Sequence, residues 1–245
     1  MKPNIILPSK KEERDIAKLQ KDGLRLHTPI PIVRITLEVT NKNKLIQKYE
    51  TFSHSWVRNA YNHIVSQLMF INGSDAAFGA GFINAKDTSN TVRNAGGQLY
   101  NGSYNQDTEQ VDATSTGVRS PAANALLGIQ VGSGVNVESF EDYVLQALIT
   151  EGVGAGQLNY AQSNAPVKAY VPGTLTYSVT WVRFMNNNSG GNVSVNEVAL
   201  TANTRVLSLN AFPTLHSREH LGATVTIPNT GQLKVTYVLS LAFPA

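Results

Sequence analysis

Cysteine is absent from all 245 residues, so neither a disulfide framework nor a thiolate-bound zinc or iron–sulfur centre is available, and stability has to come from packing and assembly. Charge is scarce too: Asp, Glu, Lys and Arg make up 15% of the chain, against about 25% in ordinary soluble domains. No apolar run approaches the roughly 18 residues of a membrane span. The run Ile5-Ile6-Leu7 in the opening MKPNIILPSKKEERD is too short for a secretory h-region and leads straight into charge. The expectation is a chain made and kept in the cytoplasm, with no membrane partner. Catalytic signatures are missing as well. There is no Gly-x-Ser-x-Gly elbow. The glycine-rich strings at 128–134 and 152–156 lack the Lys-Ser/Thr of a phosphate loop and open no βαβ crossover, so they read as turns. No cofactor is expected.

What is present is Asn, Thr, Ser and Gly in quantity, a neutral and turn-rich composition. It suits β-rich proteins that spend their surface on neighbours, and equally secreted sandwiches and carbohydrate binders. The charges are unevenly placed: residues 1–50 hold 11 Lys/Arg and 6 Asp/Glu, leaving 9 and 11 for the rest. Residues 1–30 therefore form a basic arm with a short charged helix over 10–22, ended by Gly23. Lys10, Lys11, Arg14, Lys18 and Arg25 are its candidate contacts with adjacent subunits. Glu12, Glu13, Asp15 and Asp22 are interleaved with these bases and no stacking aromatics accompany them, which argues against nucleic acid.

The β-branched run Pro31–Thr40, the turn Asn41–Lys44 and the run Leu45–Phe52 predict a hairpin. Val57, Ala60, Tyr61, Ile64, Val65, Leu68 and Met69 recur at helical spacing, with Arg58, Asn59, Asn62, His63 and Gln67 opposite, so an amphipathic helix closed by Asn72-Gly73 is expected with its apolar stripe inward. Residues 72–125 read as short strands in long loops, with a turn at Asn101-Gly102, ordered by neighbouring subunits. Beyond them come a buried strand over Leu126–Val131, a turn at Gly132–Gly134, and a capping box Ser139-Phe-Glu-Asp142 opening a short helix through Leu148. From Gly173 the pattern is β. Leu175, Tyr177, Val179 and Trp181 alternate, Val182 and Phe184 then suggest a bulge, and a second phase slip falls at Glu197. Leu233 to Phe243 alternate cleanly after a turn at 228–231.

His216-Ser-Arg-Glu219-His220 has the His-x-x-Glu-His form of inverted zinc proteases. It is expected to be a polar loop, because it lies between Pro213 and Gly222 among strands, and no Asp, Glu or His follows it as a third ligand. No catalytic or metal residue is assigned. Glu197 is the one carboxylate in an unusual setting, and it is expected to make a structural hydrogen bond or ion pair, for example with Arg183. His54 and Trp56 are expected to anchor the adjoining helix.

From Leu126 onward the order of segments is Gly128-Ile-Gln-Val-Gly-Ser-Gly134, Glu141-Asp-Tyr-Val-Leu145, Leu158-Asn-Tyr160, Tyr177-Ser-Val-Thr-Trp-Val-Arg-Phe184, an Asn-Ser-Gly-Gly turn and Val193-Ser-Val-Asn-Glu-Val-Ala-Leu200. Val225-Thr-Ile227 and Gly231–Leu241 close it. This layout resembles a β module of tailed-bacteriophage structural proteins, and a similar strand with Glu before an apolar-Gly-Leu step occurs in phage tail-fibre proteins. Ala199 departs from the pattern by standing where Gly is expected. The resemblance implies a virion component without a fibre shaft.

The expected architecture is mainly β: an antiparallel β-sandwich or jelly-roll-like module over 126–245, preceded by a basic arm (1–30) and by a hairpin, one amphipathic helix and a loop-rich region (31–125). The expected function is a non-enzymatic structural component of a tailed-phage virion, made in the host cytoplasm. It would be a head decoration, neck, collar or tail subunit whose partners are other virion proteins and copies of itself. One rival is a host-glycan binding module using Tyr100, Tyr104, Tyr160 and Tyr170. Another is a polysaccharide-cleaving enzyme using Glu197, which needs two carboxylates facing across a cleft.

Overall fold

The computed structural model describes residues 2–68, 85–93, 99–100, 117–206 and 211–244. In chain order they form β1 (Asn4–Ile6), α1 (Lys10–Arg25), β2 (Ile32–Asn41), β3 (Lys44–Phe52), α2 (Arg58–Leu68), β4 (Ala85–Lys86), β5 (Val92–Arg93), β6 (Leu99–Tyr100) and β7 (Gly128–Gly132). There follow β8 (Asn159–Tyr160), β9 (Val167–Val171), a 3-10 turn (Pro172–Thr174), β10 (Thr176–Asn186), β11 (Val193–Val206), β12 (Phe212–Ile227) and β13 (Gln232–Ala242). The chain is mainly β, as expected.

One mixed sheet runs β1-β3-β2-β13-β10, with β8 and β9 both on the far side of β10. Its only parallel pair among the described residues is β1 with β3. The other large sheet pairs β12 with β11, and β7 and β6 line the opposite side of β11. The hairpin β2–β3 and the C-terminal strands share a sheet, because β2 pairs with β13 from Ile32 to Thr40. Period-two alternation on β2 and β13 turns Ile35, Leu37, Val39, Leu233, Val235 and Tyr237 to one face, where they meet Ile129, Val131, Val195, Val198, Val225 and Ile227 of the other sheet in one apolar core. Burying each such side chain stabilises the fold by about 1.5–3 kcal/mol. Gln47 clips the sheets together at the side, its amide bonding the backbone of Thr224 and Thr226.

Several local expectations are corrected. Gly23 does not end α1. It lies within the last turn, where Ile30 packs so closely that a Cβ would sit 2.7 Å from Ile30 Cγ1, and His27 supplies the left-handed residue after the cap. β10 has no bulge and pairs with β13 without a break from Thr176 to Asn186. The apparent slip arises because the inward position between Trp181 and Met185 is held by a buried arginine, Arg183. Residues 139–148 do not form a helix. Ser139 and Asp142 do make cap-like contacts, but the N–H groups of Gln146 and Ala147 are taken by the Glu197 carboxylate. The slip at Glu197 is real, with the β11–β12 register shifting between Val195 and Glu197.

α2 forms where expected, with Val57 and Ala60 inward and Arg58 outward as expected, but part of each face is exchanged. Asn59, Asn62 and His63 are buried, while Tyr61 and Ile64 are 52% and 41% exposed. Polar side chains go inward because they have specific partners. Asn59 makes a two-way amide clasp with the backbone of Lys86, at 2.9 Å in both directions, and the His63 ring meets His216 edge-on at 4.9 Å. The helix-closing Asn72-Gly73 and the turn Asn101-Gly102 lie outside the described residues.

Candidate functional site

Lys10, Lys11, Arg14, Lys18 and Arg25 are all exposed on α1. Ser9 caps the helix by accepting from the Glu12 N–H, and α1 turns Glu12, Ile16, Gln20 and Gly23 inward. His54 ties it to the sheets. The imidazole lies between Glu12 of α1 (Nε2 to Oε1 3.2 Å) and Glu219 of β12 (Nδ1 to Oε1 3.1 Å). The Glu219 carboxylate raises the His54 pKa against partial desolvation, and Glu12 adds to it. Glu219 also accepts from the His54 backbone N–H and from Ser55 Oγ–H. Ser55 and Val57 exchange backbone bonds with Arg218 and His216, and Trp56 bridges Ser217. His54 and Trp56 therefore anchor the entry to α2, as expected.

The His216–His220 string is not a loop. It is the middle of β12, paired to β11. Four residues along a strand separate the two histidines by about 13 Å, too far to share an ion. His216 is fully buried beside His63. Burial holds both rings neutral, moving His63 down to about 4 and His216 well below its ordinary value. Among the described residues no group of three His, Asp or Glu side chains converges as a metal site.

Glu197 is fully buried, and its partner is Arg218 rather than Arg183. Its Oε1 accepts from the N–H groups of Gly134 (3.2 Å) and Ala147 (2.8 Å), and its Oε2 from Gln146 N–H (3.1 Å) and Arg218 Nε (2.7 Å). Arg218 continues to Asp142 Oδ2 (2.7 Å) and to the carbonyl of Asn136 (2.9 Å). Desolvation opposes its charge, and the carboxylates of Glu197 and Asp142 overcome that and raise its pKa. The loop 133–148 is thus stitched onto β11. Gly134 is required there, since a Cβ would lie 2.6 Å from both Gln146 Cβ and Glu197 Oε1. Glu197 and Asp142 meet through a guanidinium and not across a cleft, which leaves no room between them for a glycosidic bond. Ala199, also fully buried, packs with Val57, Leu145 and Leu215 on the same side of the sheet.

Arg183 does a parallel task with no acid in contact. Nε bonds the carbonyl of Ala161, one terminal nitrogen those of Leu127 and Ile129, and the other those of Pro121 and Asn124. All five N–H donors are used, and the guanidinium carbon stands 4.8 Å from the Tyr160 ring centroid. Burial lowers the Arg183 pKa to about 10, so it stays charged at neutral pH.

The expected tyrosine cluster does not assemble. Tyr160 is buried and donates its hydroxyl to the carbonyl of Ile149 at 2.7 Å. Tyr170 is exposed beside Phe243, ring centroids 6.3 Å apart. Tyr104 and the Tyr100 side chain lie outside the described residues. An apolar cavity of about 140 Å³ opens between the sheets, lined by Trp56, Trp181, Val33, Leu200, Tyr237 and Leu239.

Two side chains, Arg218 and Arg183, and one strand, β9, escape a residue-by-residue reading. Arg218 was hidden by taking its segment for a loop, although reading 212–227 as a strand long enough to match the preceding one would have placed it near Glu197. Arg183 was offered only as an ion-pair partner. The strand β9 was signalled by Val-Lys-Ala-Tyr-Val between Pro166 and Pro172. No protein-family model, no curated protein and no solved structure matches this chain. Among the described residues no helix is long and apolar enough to cross a membrane.

Proposed function

We propose that this chain is a structural, non-enzymatic component of a tailed-phage virion: a head decoration, neck, collar or tail subunit. It would be made in the host cytoplasm and act through contacts with copies of itself and with other virion proteins. In this reading the two sheets close over their shared core as a β-sandwich, and the basic arm with Lys10, Lys11, Arg14, Lys18 and Arg25 docks on neighbours. The observation that carries the proposal is how the buried charged groups are used. Glu197, Arg218 and Arg183 are saturated by the chain's own backbone and side chains. The outward surfaces, by contrast, offer an edge strand, exposed apolar side chains and the basic face of α1. The strand-and-turn layout from Leu126 onward supports it independently.

The test is light scattering on the purified chain together with electron micrographs of the same sample. A defined symmetric oligomer, from a dimer to a ring or larger assembly, is the expected result. A monomer that forms nothing and binds oligosaccharide would favour the second reading, a glycan-binding tip. The observation behind that reading is the exposed aromatic group of Tyr170, Tyr177 and Phe243.

A further inference from the structure

Among the described residues, the backbone of β9 pairs with a strand on one side only. It pairs with β10 from Thr176 to Thr180, no described strand lies along its other side, and all five of its residues are exposed. Such an edge carries a row of backbone donors and acceptors, and soluble proteins usually blunt it with proline, a bulge or several charges. Val167-Lys-Ala-Tyr-Val171 has no proline, pairs with β10 without a register shift, and contains one charge. Val167 and Val171 are 64% and 50% exposed.

The same five residues specify what completes the edge. We infer that β9 pairs antiparallel with β9 of a second copy of this chain, with Ala169 on the twofold axis, joining two seven-stranded sheets into one. In that register Val167 stands opposite Val171 of the second copy and Lys168 opposite Tyr170, each pair repeated by symmetry. The valines meet on the face shared with Thr176, Ser178 and Thr180, and Tyr170 lies on the face shared with Tyr177. Shifting the axis by one residue toward the N-terminus would set Lys168 against Lys168, a destabilising like-charge pair. Shifting it the other way would set Lys168 against Pro172, which has no N–H to give. The Ala169-centred register alone pairs all five residues within β9, setting valine against valine and keeping the two lysines apart. The exposed rings of Tyr170 and Phe243 then lie beside the new seam.

This deepens the assembly reading, resting on it only for the idea that copies of the chain touch. The experiment is sedimentation velocity over a concentration series of the full chain and two variants, with circular dichroism as a folding check. In Val167→Lys/Val171→Lys the register brings like charges opposite each other twice, and self-association weakens by about tenfold or more. In Val167→Lys/Val171→Glu the same register brings Lys opposite Glu twice, and the dimer returns. Both positions are surface-exposed, so neither variant disturbs the core. Dimer, loss and rescue in that order support the pairing. An assembly that both variants leave intact overturns it while the assembly reading stands. Loss in both variants overturns the Ala169-centred register. A wild-type chain that stays monomeric throughout overturns the self-pairing, and oligosaccharide binding by that monomer then decides separately between the assembly reading and the glycan-binding one.

Discussion

In the β11–β12 half of the molecule Glu197, Arg218 and Glu219 are buried, and every carboxylate oxygen has a donor within 3.2 Å. Along β9, which no other described strand flanks on its outer side, five consecutive residues are exposed and the one charged residue is Lys168. The residue types usually associated with chemistry are sealed in the first region and scarce in the second. Burying a charge is costly unless hydrogen bonds replace its water, so Glu197 and Arg218 persist where they pin the loop 133–148 to their strands, as Arg183 of β10 does for 121–127. The open edge carries what association uses: backbone groups, valines and an aromatic ring.

The largest expected effect comes from the other buried charge, Arg183 of β10, which is sealed in the same way although its strand lies in the sheet that carries β9. Arg183→Met leaves five carbonyl contacts unmade and should lower unfolding stability by about 3–5 kcal/mol in urea titration. Arg183→Lys should recover only part of this, because an ammonium has three donors for five acceptors. Glu197→Gln comes next, at about 2–4 kcal/mol, since one end of the amide must face N–H donors or Arg218.

Acid should produce a change of about 2–3 kcal/mol. His63 is neutral in the fold down to about 4 but accepts a proton near 6.5 when unfolded, so the unfolded state binds more protons between those values. Stability is full above about 6.5 and is lost as pH falls toward 4. His216 shifts in the same direction. His54, raised by Glu219, works the other way: its stabilisation is present at low pH and fades as pH rises through its folded pKa. Guanidinium unfolding of the wild type and His63→Asn from neutral pH to pH 4.5 checks the sign, and the variant should show the shallower slope.

The smallest stability effects sharpen the other side of the comparison. Val167→Lys/Val171→Lys and charge reversal at Lys10, Lys11, Arg14, Lys18 or Arg25 should each change stability by no more than about 0.5 kcal/mol. The β9 pair should nevertheless alter association.

The strands were legible in the sequence wherever alternation was carried by apolar residues, as in β2, β3 and β13. It failed where a buried polar residue took an inward position. Arg183 looked like a broken period, and His216, Arg218 and Glu219 looked like a loop, because hydropathy cannot tell a solvated side chain from one satisfied inside. α2 is the same lesson at helical period: Asn59 and His63 are inward because Lys86 and His216 meet them, and those partners are distant in sequence. The capping box at Ser139 leaves only its Asp142 half and opens no helix, because Glu197, more than fifty residues away, claims the N–H groups a helix would have used. The basic positions of α1 were legible as exposed, while the β9 edge required the pairing partners of β10 to be known.

The contrast between a sealed half and an open edge is tested most directly by hydrogen exchange at low and high protein concentration. The account predicts that amides of β11 and β12 are strongly protected at both concentrations, while outward amides of β9 exchange fast when dilute and become protected when concentrated. β9 amides that exchange equally fast at both concentrations, with new protection appearing on β11 or β12, would contradict it.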